Sequence, residues 1–243
     1  MLAWFLPPVL VLVAWWPTLG GFFLGDDFWM LELARLGFDE IWTSRGGWSG
    51  QKHRPLTIAS LVVDHHLWGT AAFGYRVTNL VLHAVAALLA GRLARALSGS
   101  DKVALIAGSL FAIVPVHPQA VTWIAARADP LVALFSAIGA LALLRYMRAP
   151  RVLDLLVMLV ATWAACASKE LGFVMPAAFG ALVLGAATDG RSLRRGLVGV
   201  AATLVLAGVW FFVRAALLGT SGSPIGKQEE GLAGLVRLLS PGP

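Results

Sequence analysis

The sequence predicts an all-α, polytopic membrane protein, and three observations carry that prediction. Hydrophobic residues make up 58% of the 243-residue chain and charged residues 13%, with a mean hydropathy of +0.79; a soluble domain carries about 25% charged residues. The charges are gathered into short clusters between long apolar runs, so no fold could spread them over a water-facing surface. Basic residues, finally, crowd into alternate connections between those runs. About seven transmembrane helices with a long first external loop follow.

Residues 1–24 make the first helix. Its uncharged run, 2–24, would be about 34 Å long as a helix, enough to span. No basic residue precedes it and no A-x-A site follows, so it reads as an uncleaved span rather than a signal peptide. Residues 25–74 carry six acids and four bases with Gly46, Gly47, Gly50 and Pro55, too polar to cross, and are expected to form an external loop with short amphipathic helices. Apolar runs at 75–91, 103–117, 130–147, 152–168, 171–187 and 196–213 supply helices 2–7 within 75–213. The tail, 214–243, reads as external, and a chain stopping there suggests the amino-terminal part of a larger protein.

Arg92, Arg95, Lys102, Arg145, Arg148, Arg151, Arg191, Arg194 and Arg195 occupy one set of connections, whereas Arg127 and Lys169 on the other side are each accompanied by an acid. The positive-inside rule then puts the amino terminus in the cytoplasm and 25–74, 117–129, 168–170 and 214–243 outside. The same placement accounts for the net charge of +6 and pI near 10.2 without nucleic acid. The single Cys166 excludes an intrachain disulfide and a cysteine metal cluster, and reads as a packing residue.

Projected onto this topology, Asp26, Asp27, His53, Arg54, His117, Arg127, Asp129, Lys169, Glu170 and Arg214 gather at the external face from five places in the sequence. Asp26 or Asp27 could deprotonate an acceptor hydroxyl; helix capping and dipole complementation near Phe28 would place acids there equally well. Arg54 could hold a phosphate with His53 or Lys52 beside it, or the segment could touch anionic headgroups. Asp64, His65 and His66 lack zinc-ligand spacing and read as packing or exposed residues. Pro115 and Pro118 break the third span, with His117 at the break. Asp129 before Pro130 reads as an N-cap, and Arg127 could pair with an acid or hold an anion. Lys169 and Glu170 could neutralise each other or, for Lys169, face a lipid phosphate. His83, mid-span, suits a helix-to-helix hydrogen bond.

The segments GDDFW (25–29), HRPLTIASLVVDHHLWG (53–69), YRVTNLVLHAVAALL (75–89), LFAIVPVHPQAVTWIAARADPLVALF (110–135), ASKELGF (167–173) and FFVRAALLG (211–219) resemble, in order, those of the GT-C membrane glycosyltransferases, in particular the protein O-mannosyltransferase branch whose larger members carry tetratricopeptide repeats. The resemblance implies transfer of a sugar from a polyprenyl-phosphate donor to an acceptor hydroxyl, on protein or glycan, at the external face. It implies Asp26 as general base and Asp27 as supporting acid, with Arg54, His117, Arg127 and Lys169 neutralising the departing phosphate. His53, Asp129, Glu170 and Arg214 would support them. Family members have more than seven spans. No cofactor is firmly expected; the acidic pair could hold a divalent cation, though no complete cage is visible. A transporter or lipid flippase, and an inactive scaffold fragment, are the competing readings. Arg-, Ala- and Gly-rich usage suggests a bacterial inner membrane, with the active face periplasmic.

Overall fold

The computed structural model describes residues 2–38, 41, 53–114 and 118–218. Among these residues there is no strand, and the helices follow the apolar runs: α1 (Leu6–Trp15), α2 (Asp26–Arg35), α3 (Pro55–Trp68), α4 (Ala72–Ser98), α5 (Asp101–Ile113), α6 (Pro118–Thr122), α7 (Ala128–Arg148), α8 (Val152–Ser168), α9 (Met175–Ala186) and α10 (Gly190–Leu218). Short 3-10 turns, Trp16–Gly20, Ile124–Arg127 and Glu170–Val174, extend or join them. Each of the seven apolar runs contains helix among the described residues. Three of these helices are individually long and apolar enough to cross a membrane: Ala72–Ser98, Ile124–Arg148 and Gly190–Leu217. The other apolar helices are shorter.

Helix boundaries depart from the apolar runs for clear reasons. The third helix was expected to reach 117, but α5 stops at Ile113 because Val114, preceding Pro115, adopts an extended ψ of 126°. In the opposite direction, α4 continues to Ser98 and ends on Gly99 at φ +69°. Arg92 and Arg95 therefore lie on helix rather than in a turn, as do Arg145 and Arg148 of α7 and Arg191, Arg194 and Arg195 of α10. Arginine is a good helix former and its long stem carries the charge outward, so these helices can run past their apolar length.

Large apolar side chains remain exposed along the bundle, including Val152 at 74%, Val160 at 63%, Leu204 at 62% and Phe212 at 73%. Such a belt suits hydrocarbon rather than water, and the chain is an integral membrane protein. Close helix approach uses small residues: a Cβ on Gly91 of α4 would stand 2.8 Å from the Ala104 carbonyl oxygen of α5, and one on Gly108 would stand 3.0 Å from that of Ala87. His83 bonds across the same interface, its Nε2 lying 3.3 Å from the Ala112 carbonyl oxygen, as the mid-span reading anticipated. Cys166 is buried beside Ala167, Ala207 and Trp210 as a packing residue.

The segment expected to be an external loop holds α2 and α3. Both bury an apolar face, with Met30, Leu33, Ile58, Leu61 and Val62 joining Tyr75 of α4 and Ile124 in one core. That core is the platform on which the site is built.

Candidate active site

Two polar layers lie over this platform, one sealed and one half open. The sealed layer centres on Arg127, whose side chain is 0% exposed and pairs with Asp64 at 2.5 Å. Its Nε donates to Asn79 Oδ1 at 2.7 Å, Nη1 to the Ser60 carbonyl at 3.1 Å and Nη2 to the Tyr75 carbonyl at 2.9 Å. Asp64 also accepts from Thr78 Oγ1 at 2.7 Å. Arg127 thus joins the start of α7 to α3 and α4 with every guanidinium nitrogen committed. The resemblance implies a role for it in neutralising a phosphate; its side chain is fully buried and ion-paired with Asp64. Asp64, read as a packing or solvent-facing acid, is its counter-charge, without which so deeply buried a cation would be untenable.

Arg76 performs the matching task one helical turn before Asn79. It donates to the carbonyls of Thr18 at 3.2 Å, Thr122 at 2.5 Å and Phe22 at 2.6 Å. The end of the first span, the approach to α2 and the end of α6 are tied by one side chain. Gly21 lets it in, because a Cβ there would stand 2.7 Å from the Arg76 Cζ. Asn79 Nδ2 adds a bond to the Trp123 carbonyl at 3.2 Å.

The two adjacent aspartates at the start of α2 have different surroundings. Asp27 is fully buried, and its Oδ2 accepts the Leu24 N–H at 3.0 Å while Oδ1 accepts the Ala125 N–H at 2.7 Å. Burial pushes its carboxyl above the ordinary aspartate value, outweighing the lowering by those two N–H donors and by Arg76. Asp26 is half-buried, and among the described residues nothing hydrogen-bonds or ion-pairs with it. The helix begins at Asp26 itself with Gly25 as N-cap at φ +52°, so neither aspartate is the cap; both complement the helix dipole from the first turn.

The half-open layer contains two charge clusters. Arg54 and Arg214 converge on Glu170, Arg54 Nε at 3.1 Å and Arg214 Nη2 at 2.6 Å, so two cations share one carboxylate. Lys169 pairs with Asp129 at 2.5 Å, both partly exposed. Adjacent in sequence, Lys169 and Glu170 do not neutralise each other: the chain turns sharply and sends them to separate partners. Gly172 permits the turn, since its virtual Cβ would lie 2.4 Å from the Ala165 carbonyl carbon of α8. Asp129 does not cap α7, which starts one residue earlier with Arg127 as N-cap. His53 is buried against Trp210, ring centroids 6.2 Å apart. His117 and Lys52 lie outside the described residues.

Contacts of α2 with α3 and with the Ile124–Arg127 turn, and of α3 with α8, connect the two layers. An apolar groove of about 750 Å³ opens beside them, lined by Ala86 of α4, Phe111 of α5, Ala133 and Ala137 of α7, and Met175 and Phe179 of α9, with Asp129 also at its wall. Among the described residues no group of three or more His, Cys, Asp or Glu side chains could hold a metal ion.

Comparison with known proteins gives the geometry a family context. The chain is similar to the protein O-mannosyl-transferase Tmtc2 of Drosophila melanogaster, 36% identical over 124 residues covering 51% of this chain and 12% of that protein. It is 37% identical over 106 residues to Tmtc1 of the same organism, covering 44% of this chain and 11% of that protein. With tmtc2 of Xenopus laevis it shares 32% identity over 160 residues, 61% of this chain and 19% of that protein. The chain therefore spans between about a tenth and a fifth of the length of these relatives. No family model matches, and no solved structure matches. Over about half its length, then, this membrane-embedded chain is similar to TMTC-type protein O-mannosyl-transferases.

Proposed function

We propose that this chain forms the donor- and base-bearing part of a membrane glycosyltransferase that moves a sugar, mannose by analogy with its relatives, from a polyprenyl phosphate to an acceptor hydroxyl of a protein or glycan. The observation that carries the proposal is the division of labour in the acidic pair: Asp27 is spent on two backbone N–H groups, while the carboxylate of the half-buried Asp26 is left without a bonded partner among the described residues. Asp26 takes the acceptor hydroxyl proton as that oxygen bonds to the anomeric carbon. The bond from that carbon to the carrier phosphate oxygen breaks, and its electron pair leaves with the phosphate. Arg54, Arg214 and Lys169 supply positive charge for the departing group. His53 and Asp129 support these cations, and Glu170 restrains two of them; His117 is carried in the proposal from the sequence alone. The prenyl chain lies in the apolar groove. In this reading the arginine-rich end is cytoplasmic and the acidic end external, periplasmic if the source is bacterial.

Transfer of radiolabelled sugar from a polyprenyl phosphate, measured in membranes carrying the full-length gene product, tests the reading. Transfer that disappears in Asp26→Asn while the variant remains inserted supports it. An Asp26→Asn enzyme as active as the parent removes Asp26 as base, and no transfer by the parent with any polyprenyl-phosphate sugar removes the transferase reading.

A further inference from the structure

The opposite end of the bundle holds a second, unrelated hollow. It encloses about 680 Å³ and is lined by Trp4, Arg92, Arg95, Ala96, Gly99 and Arg148. We propose that this hollow binds the phosphate of an anionic phospholipid headgroup. Three guanidiniums from α4 and α7 face one volume, and the carboxylate that answers them is Asp101, bonded to Arg95 Nε at 2.6 Å. That pair is more than half exposed on both sides, which makes it a weak bond that a phosphate can replace. Arg148 spends Nη2 on the Ala96 carbonyl at 2.7 Å and keeps its other N–H groups for a ligand. Arg92 is exposed, and nothing among the described residues hydrogen-bonds or ion-pairs with it.

Loop topology alone would explain arginines at this end, but not their convergence on a concave wall with an aromatic lid. The Trp4 ring sits 5.5 Å from the Arg95 Cζ, and an indole is the side chain that favours the boundary between headgroups and hydrocarbon. Exposed Leu97, Val103 and Ile106 stand on the adjoining faces of α4 and α5. A lipid can meet that surface with its acyl chains while its phosphate enters the hollow; free phosphate cannot, and this favours lipid as the source. The site is independent of the Asp26 face and of the sugar-transfer reading.

The test uses the full protein reconstituted in nanodiscs of equal parts phosphatidylglycerol and phosphatidylcholine, extracted into detergent and examined by native mass spectrometry. Phosphatidylglycerol should be retained selectively, and Arg92→Ala combined with Arg148→Ala should weaken retention by roughly thirtyfold. Arg92→Ala alone, at an exposed position with no bond to lose, should weaken it in the same direction. Arg151→Ala combined with Arg194→Ala removes the same charge from the same end outside the hollow, and should leave retention within about twofold of the parent. Equal retention of both lipids, an equal loss in the control pair, or displacement of the lipid by millimolar glycerophosphate would each overturn the proposal.

Discussion

The two ends of this bundle are built from the same residue types and use them in opposite ways. At the arginine end, guanidiniums cap helix ends cheaply: Arg148 reaches the Ala96 carbonyl, Arg195 reaches those of Met147 and Arg148, and Arg145 pairs with Asp154 at 2.8 Å. These bonds are exposed or only partly buried. At the acidic end, Arg76 and Arg127 are drawn beneath the surface and held by carbonyls, Asn79 and Asp64, while the groups above them stay partly accessible. One end holds charge for an outside ligand on a simple frame; the other invests buried charge in the frame itself. Charged side chains near a membrane therefore divide by what they bond rather than by where the topology places them.

The comparison predicts its largest rupture at Arg127. Truncation to Ala strands Asp64 in the interior and should cost about 3–5 kcal/mol, enough to leave little folded protein, seen as loss of a cooperative melt in detergent. An Arg127→Ala protein as stable as the parent would show that the sealed layer is not a frame. The two aspartates come next and should separate. Asp26→Asn is expected to abolish transfer with the melt unchanged, whereas Asp27→Asn turns an amide NH2 toward a backbone N–H and should lower stability by about 1–3 kcal/mol. Similar behaviour of the two variants would erase the distinction between base and anchor.

A smaller effect is expected for the half-open cations. Arg54→Ala and Lys169→Ala should each raise the KM for the lipid donor by roughly tenfold or more, the loss expected for a charge-assisted bond, while acceptor KM stays near its parent value. An unchanged donor KM in both would remove them from the donor site. Least of all, Arg151→Ala at the opposite end should leave both transfer and melting temperature where they were. A change in donor KM there would mean the ends are coupled.

The sequence made the helices plain because apolar runs separated by charge leave few alternatives, and each run contains helix among the described residues. It also marked Arg54, Asp129, Lys169, Glu170 and Arg214 as polar groups of one face, and in the structure these five form two ion-paired clusters. What it concealed is the pairing. Arg76 and Asn79 sit three apart in a run that otherwise reads as membrane span, a spacing that puts both on one helix face, but nothing local names Thr18, Phe22, Thr122 or Arg127 as their partners. Lys169 and Glu170 misled for the converse reason: neighbours in sequence suggest neutralisation, and only the tight turn at Gly172 reveals that they diverge.

The grip of Arg76 has a bearing on biogenesis. The three carbonyls it holds come from residues 18, 22 and 122, on either side of α4, so a ribosome must deliver more than a hundred residues before that guanidinium can be satisfied. Glu170 then waits further, for Arg214 at the end of α10. Closure over such sequence distances is slow relative to local helix formation. The Glu170 cluster is therefore completed only after α10 has emerged, well after the helices beneath it.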